Sequence, residues 1–577
     1  MPRSNEQVAE SLQELADLLA LTDGDPYRVR AYEKAARTLA SYPADVDELD
    51  RKGLVAIPAV GSHIAAKILQ LRSTGHLEEL DELRAQIPAG LRALLVVPGL
   101  GPRRAAQIYR ELHVASVADL LVALEGERLR SLRGWGPTSE SRLEEAIAQY
   151  QDAGGRLQLG TALSLADDLV SALQGLPSVT TVTYAGSLRR MCETIGDIDL
   201  LVASDDPVPV MQGFAALPLL SQVPAHGTTK AVGITSTGIH VDLRVVSPTR
   251  WGAALLYFTG SKAHGIHLRR IAQRAGLKLS EYGLERVDTG RLIASETEAE
   301  IYAALGMEFV PPTLREDRGE VEAALDHSLP RLVTLTDLRG DLHTHTDLTD
   351  GMATLEEMVA AARHRRYQYF AVTDHAPLLA MQRMTAEKAL AQRRELRSLR
   401  ADGMTVLHGS ELNIQPDGSL DWDDDFLSGF DVLVASIHSA FGLGKDEMTR
   451  RLIRAIEHPA VNIVGHPTAR SIGHRAGIAF DAEAVFAAAG RAGTAMEINA
   501  FPDRLDLDDE LARMAREHGV VFAISSDAHA IRHLDQIRFG VATAQRGWVR
   551  PDDVINTWPL PRLRNFLAKR RPGRMAG

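Results

Sequence analysis

One cysteine, Cys192, stands in 577 residues. A lone thiol excludes an intramolecular disulfide framework and a thiolate-based zinc cage, so any metal must sit on histidine and carboxylate side chains. It also fits a reducing compartment. No apolar run approaches the roughly 20 residues that span a bilayer. The amino-terminal MPRSNEQVAESLQEL is polar and helical rather than a basic-then-apolar export signal. These features predict a cytoplasmic protein with no membrane contact. A surplus of positive charge is missing too: the formal net charge is −12. That excludes a protein coating nucleic acid by bulk electrostatics and leaves local DNA binding open. Part of the acidity is the cluster Asp421, Asp423, Asp424 and Asp425, and the basic stretches are as short as Arg103 with Arg104 or Arg189 with Arg190. Each such run is read first as a solvated face.

The length is several times that of one domain, and 45% hydrophobic residues suit a chain of compact modules. Amphipathic helical stretches separated by Gly/Pro turns run to about Ala153 with little strand signal, which predicts an all-helical region. From Val179 onward β-branched runs (VTTVTY, DIDLLVA, GIHVDLRVV) alternate with helical segments, predicting a mixed sheet with helices packed on it. After Pro311 and Pro312 an acidic helix, REDRGEVEAALDHSL, leads into LVTLTDLRGDLHTHT. Beyond it short strands alternate with helices in the rhythm of a β/α barrel.

Within the helical region Ile57 to Ile68 (IPAVGSHIAAKI), Val97 to Ile108 (VPGLGPRRAAQI) and Leu132 to Ile147 (LRGWGPTSESRLEEAI) share one design. A tight Gly-containing turn precedes an amphipathic helix, whose exposed N–H groups can receive a phosphate oxygen without reading a base. One such turn is a common connector; three in series point to DNA backbone binding. They resemble helix-hairpin-helix motifs. In the first, Ala59 stands where that family usually has Gly.

The stretch Tyr184 to Val202 (YAGSLRRMCETIGDIDLLV) is followed by Gly238 to Val245 (GIHVDLRV). Residues two apart on a strand point the same way, so Asp197 and Asp199 project together, as do His240, Asp242 and Arg244. If the strands are neighbours, three carboxylates converge. Crowded carboxylates need cations between them, and two Mg²⁺ or Mn²⁺ ions suit such oxygen ligands and in-line phosphoryl transfer. Gly186 and Ser187 would open a helix toward a triphosphate, with Arg190 as charge partner. With Leu256 to Lys262 (LYFTGSK) and KLSEYGL, this constellation resembles the X family of DNA polymerases, from the amino terminus to about Pro312. The resemblance implies Asp197, Asp199 and Asp242 as catalytic metal ligands. It places Tyr257 and Phe258 by the incoming sugar and Gly260 with Ser261 beside the nucleotide. It also puts Lys67 where the family has the Schiff-base lysine of a deoxyribose-phosphate lyase, which must be unprotonated to attack; an ordinary helix lysine is the alternative. Two positions depart from the family: Gly265 replaces a common Asn, and Met191 replaces a common Gly.

The second half carries a denser metal signal. DLHTHTDLTDG supplies His343, His345 and Asp350, followed by His375 after Asp374, Glu411, His438, His466, Asp527 and His529. Nearly every one closes a short apolar strand, and in a β/α barrel those ends gather at one mouth. Nine such ligands suffice for up to three divalent ions, Mn²⁺ or Zn²⁺, that could generate a bound hydroxide and hold a phosphodiester. Their order and spacing resemble a PHP (polymerase and histidinol phosphatase) domain over Leu338 to Lys569, which implies removal of 3′-terminal nucleotides and possible abasic-site cleavage. Arg504 and Lys445 are candidate phosphate contacts or surface charges.

The combined expectation is multidomain, resembling a bacterial X-family DNA polymerase with a carboxy-terminal PHP domain. It comprises an all-α helix-hairpin-helix amino-terminal region, an α+β nucleotidyltransferase palm and thumb, and a distorted β/α barrel. The expected divisions are a lyase-like DNA-binding domain (1–85), a fingers-like helical domain (86–153), the palm (154–248), the thumb (249–315), a linker (316–337) and the PHP domain (338–577). Gapped or primer-template DNA and deoxynucleoside triphosphates are the expected partners of a monomer. Two rivals remain at this point: a phosphoesterase acting on a small metabolite, and a DNA-end scaffold with an inactive palm.

Overall fold

The computed structural model describes residues 5–568 except 23–24, 41, 43–45, 47–48, 75, 88–93, 95–99, 115–116, 127, 133, 137–139, 141–142, 144–155, 236–237, 380–383 and 400–402. In the amino-terminal region the described elements are helical, running from Asn5–Leu21 to Val117–Glu125. Their apolar stripes close over one core that includes Leu12, Leu15, Leu39, Ile64, Ile68, Ile108 and Leu120. The first Gly turn holds Ala59 at φ 66°, the left-handed backbone that glycine enters freely, which gives a physical reason for the family's preference at that position. The helices after the first two turns are Ser62–Thr74 and Pro102–Leu112. Val97 to Gly99 of the second motif, and much of the third beyond Gly136, lie outside the described residues.

The palm is a five-stranded sheet plus a small pair. β1 (Leu157–Gln158) pairs with β3 (Thr194–Ile195). The larger sheet has the order β2 (Thr181–Tyr184), β4 (Asp197–Ala203), β7 (His240–Val246), β6 (Lys230–Thr235) and β5 (Leu220–His226), with β4 and β7 parallel. Alternation sends Ile198, Leu200, Val202, Val241, Leu243 and Val245 into a core with helix Leu159–Gln174, leaving the acidic positions on the other face. The thumb adds helices Trp251–Thr259 and Lys262–Arg274 and a sheet of β8 (Leu277–Ser280), β9 (Gly283–Arg286) and β10 (Leu292–Ala294). Residues 316–337, expected as a linker, carry helix Glu320–Leu325, whose Val321 and Ala324 are fully buried in the thumb core.

Seven parallel strands in sequence order build the last module. They are β11 (Gly340–Asp341), β12 (Tyr369–Val372), β13 (Thr405–Asn413), β14 (Val432–Ser436), β15 (Ile463–Val464), β16 (Ala495–Asn499) and β17 (Phe522–Ser525). Buried on both faces, they read as near-continuous apolar runs, as parallel strands must. The sheet curls until its ends nearly meet. Asn556 Nδ2 donates to the carbonyls of Gly340 (2.9 Å) and Ile524 (2.8 Å), and Ile524 N–H donates back to Asn556 Oδ1 (3.0 Å), stitching β11 to β17.

Palm and barrel are packed together. Leu505 and Phe539 of the barrel sit in the palm core. A Cβ on Gly160 would come within 2.9 Å of Pro502, so only glycine permits helix Leu159–Gln174 to approach this closely. Arg470 and Glu193 pair at 2.8 Å across the same seam, and Gln158 Nε2 donates to the Ile472 carbonyl at 3.0 Å. Among the described residues no helix is long and apolar enough to cross a membrane.

Two candidate metal centres

Parallel pairing of β4 with β7 sets Asp199 opposite Asp242 and Asp197 opposite His240. Because the strands are neighbours, carboxylate oxygens of Asp197, Asp199 and Asp242 lie within 4.8 Å of one another. Burial, reinforced by Asp197 and Asp242, pushes the Asp199 carboxyl up to about 7, against the pull of Arg190 and Arg244. Mutual repulsion of this kind fits an oxygen-only site for hard cations. Gly186, at φ 58°, begins a four-residue helix beside it; any side chain there would run into the Asp199 carboxylate. Met191, at φ 54°, occupies the left-handed region that the family's usual glycine enters without strain. Arg190 Nη1 donates to the Thr259 carbonyl (2.6 Å), tying the Gly186–Arg189 turn to Gly260 and Ser261. Ser261 caps helix Lys262–Arg274 by accepting from the His264 N–H. Phe258 lies under the Arg244 guanidinium and meets half-exposed Tyr257 edge-on.

In the barrel the nine histidine and carboxylate positions gather at the carboxyl ends of the strands. Glu411 lies at the centre. Its carboxylate is 2.8 Å from His375, 2.9 Å from His466, 3.2 Å from His438, 3.5 Å from His343 and 3.7 Å from His345. Asp527 reaches His345 at 3.2 Å, and Asp350 reaches His375 at 3.2 Å and His529 at 3.5 Å. Three overlapping groups within ligand distance result: His345, Asp350, His375 and His529; His343, His345 and Asp527; His375, Glu411 and His438. Buried ring nitrogens of His343 (Nε2), His345 (both) and His375 (Nδ1) make no hydrogen bond among the described residues. Unpartnered ring nitrogens facing carboxylates are what a cation site requires, so the residues fit divalent metal ions. Burial would raise the Glu411 carboxyl, but the surrounding imidazoles of His438, His375 and His343 outweigh it and hold it well below its usual range. Burial would likewise lower His375, but Glu411 and Asp350 drive it up to about 10.

A supporting layer escaped the sequence reading. Glu497 accepts from His343 Nδ1 (2.7 Å) and from the His466 N–H (2.7 Å), and Asn413 Oδ1 faces His438 Nδ1 at 2.8 Å. These contacts orient the rings. Asp374 accepts from Thr346, Thr349 and Gln392, fixing the loop that carries Asp350. The available signal was a lone Glu inside the apolar strand AMEIN.

Comparison with known proteins follows the same division. The helix-hairpin-helix domain model matches residues 3–77, the DNA polymerase beta thumb 254–316 and the PHP domain 341–500. DNA polymerase/3′-5′ exonuclease PolX of Bacillus subtilis (strain 168) is 36% identical over 563 residues, 97% of this chain and 98% of that protein. The chain belongs to the PolX family. DNA polymerase lambda of Rattus norvegicus aligns at 26% identity over 54% of this PolX chain and 56% of its own length. A probable phosphatase of Shewanella sp. (strain MR-4) aligns at 31% over 40% of the chain and 91% of its own length.

Three further expected positions of this PolX chain are placed as follows. Arg504 joins the barrel cluster, its Nε 3.8 Å from Asp527, whereas Lys445 is exposed at the head of helix Lys445–Glu457. Lys67 faces inward with 16% of its side chain exposed, its Nζ 2.9 Å from Glu79, which also holds Arg28 at 2.6 Å.

Proposed function

We infer that this PolX chain extends DNA at the palm and removes 3′-terminal nucleotides at the barrel, as a cytoplasmic, monomeric enzyme that fills short gaps during repair. One observation carries the reading: a single packed chain holds two donor sets of different chemistry, three carboxylates on a sheet face and, in a barrel mouth, eight imidazole and carboxylate residues in overlapping groups with His466 joined to them through Glu411. Asp197, Asp199 and Asp242 would hold two Mg²⁺ or Mn²⁺ ions, which when bound lower the barrier to attack by a primer 3′-hydroxyl and to pyrophosphate departure. Gly186 allows the backbone close to that site, and Ser187 and Arg190 face the triphosphate. Tyr257 and Phe258 wall the sugar, and Gly260 and Ser261 adjoin the nucleotide.

The barrel would hold up to three Mn²⁺ or Zn²⁺ ions on His343, His345, Asp350, His375, Glu411, His438, His466, Asp527 and His529, ions that make water a nucleophile at neutral pH. Glu497 and Asn413 keep the rings aimed, and Arg504 supplies a cation for the scissile phosphate. Cleavage at abasic sites would use the same cluster. At the amino terminus, Lys67 would act as a deoxyribose-phosphate lyase once its ion pair with Glu79 is broken. Loss of borohydride-trapped product in Lys67→Ala tests that role.

The main experiment uses gapped DNA with Mg²⁺ or Mn²⁺, with and without triphosphates. Asp242→Ala is expected to abolish extension and spare 3′ trimming, and His343→Ala to do the reverse. Loss of both activities in either folded variant would overturn separate sites. Tight DNA binding without extension by the unaltered chain would reduce the palm to a scaffold. The match to a probable phosphatase supports one second reading, a small phosphomonoester as barrel substrate. Faster hydrolysis of such esters than of DNA 3′ ends would favour it.

A further inference from the structure

Arg546, the last residue of helix Ile537–Arg546, belongs to the barrel module, yet its guanidinium ends beside the palm. Its Nη1 donates to the Arg190 carbonyl (3.0 Å) and to Glu316 Oε1 (2.9 Å), and its Nη2 to Asp509 Oδ2 (2.9 Å). The same Glu316 oxygen accepts from Arg190 Nε (3.0 Å), while Arg190 Nη1 donates to the Thr259 carbonyl (2.6 Å), one residue before Gly260. One carboxylate oxygen therefore serves two arginines, one from each module. The side chains of Arg546, Arg190 and Glu316 are 10%, 14% and 18% exposed, so solvent screens the junction only weakly. Arg318, two residues beyond Glu316, pairs with Asp509 at 3.0 Å and with Glu510 at 2.9 Å, and Arg513 Nη1 donates to the Arg318 carbonyl at 2.8 Å. Glu316 and Arg318 are thus held on the barrel by several bonds.

The consequence concerns where Arg190 points. With Arg546 present, the Glu316 charge is shared, the Arg190 carbonyl is bonded, and the rigid five-donor fork of Arg546 sets the spacing between them. Without it, Arg190 is the one close cationic partner left to Glu316 among the described residues, the Arg190 carbonyl loses a bond, and the Arg190–Glu316 pair is no longer anchored to the barrel, so the guanidinium is free to leave its present orientation. We propose that Arg546 of the barrel module is a positioning residue for nucleotide binding in the palm, holding Arg190 in place through Glu316 and the Arg190 backbone. The proposal rests on the reading that Arg190 faces the triphosphate. It makes the nuclease module a structural part of the polymerase's nucleotide pocket.

The test uses the full-length chain on gapped DNA with Mg²⁺, measuring KM for the incoming triphosphate, kcat, 3′ trimming of single strands and thermal unfolding. Arg546→Ala is expected to raise KM roughly tenfold with kcat within about twofold and trimming unchanged, about 1.4 kcal/mol of nucleotide binding. Arg190→Ala should raise KM at least as much, and the double variant should be no worse than Arg190→Ala alone, since both act through one group. Arg546→Lys, which keeps the charge but cannot fork, should recover part of the loss. Glu316→Gln should also raise KM, and these last two carry the test if Arg546→Ala does not fold. Unchanged KM in Arg546→Ala and Glu316→Gln, or additive losses in the double variant, would overturn the proposal. Unchanged KM in Arg190→Ala would instead remove the underlying reading of Arg190. Parallel loss of extension and trimming with a lowered Tm would leave Arg546 a purely structural role and equally defeat the proposal.

Discussion

The palm triad and the barrel cluster differ in what stands against their negative charge. In the palm three carboxylates face one another with Arg190 and Arg244 easing Asp199, and Asp197 is exposed. In the barrel three carboxylates are interleaved with six imidazoles, most of them buried, and Glu497 and Asn413 fix ring orientation from behind. Oxygen-only donors at a surface suit cations that come and go with a phosphorylated substrate. A buried nitrogen and oxygen cage with its own supporting bonds suits cations that stay. The chain thus pairs a partly exposed set of oxygen donors with a largely buried set whose rings are held by their own supporting bonds.

The sharpest way to break that contrast is Gly186→Ala. Its Cβ would meet the Asp199 carboxylate in a left-handed backbone, and a displacement of about 1 Å can cost on the order of 100-fold in rate. Primer extension should fall at least that far while 3′ trimming stays unchanged. On the other side, Glu497→Gln puts an amide where the His466 N–H and the Asn499 side chain already donate. Trimming is expected to drop about 10- to 100-fold, as for other changes behind a metal ligand, with extension intact.

Proton competition sharpens the comparison further. Below about 7 the metal-free Asp199 carboxyl is protonated, and a cation has to displace that proton. The Mg²⁺ concentration for half-maximal extension should therefore rise as pH falls through 7, approaching about tenfold per unit, and level off above it. A requirement flat from pH 8 to 6 would show the triad to be ionised without metal. The smallest effect expected is that of Gly265→Asn. A Cβ there meets nothing within 4 Å, so the side chain fits, and one added hydrogen bond of about 1 kcal/mol would lower the triphosphate KM a few-fold. An unchanged KM would place that helix face away from the nucleotide.

The chemistry was legible in the sequence for a physical reason. Strand alternation determines which side chains share a face, so Asp197 could be grouped with Asp199, and Asp242 with His240 and Arg244, while joining the two sets needed the strands to be neighbours, which the β4–β7 pairing supplies. Parallel strands end at one mouth, which grouped His343 through His529. The supporting residues were hidden because Glu497 and Asn413 lie inside strands that read as core. The junction of palm and barrel was hidden more deeply. Arg190 and Arg546 are 356 positions apart, and contacts at that range leave no periodic trace. Residues 316–337, expected as a linker after Pro311 and Pro312, include Val321 and Ala324, which pack in the thumb core, a contact that the sequence pattern does not reveal.

The loop from Asn499 to Leu507 begins with an amide hydrogen-bonded to Asp527 at the nuclease mouth and, at Leu505, places a leucine inside the palm. Scissors are therefore the wrong tool for anyone wanting a polymerase that does not chew its own product. Cutting the gene between the two halves would leave a hole in the palm core and bare Leu505 and Phe539 on the barrel. Silencing a single imidazole such as His343 leaves the joint foundation standing.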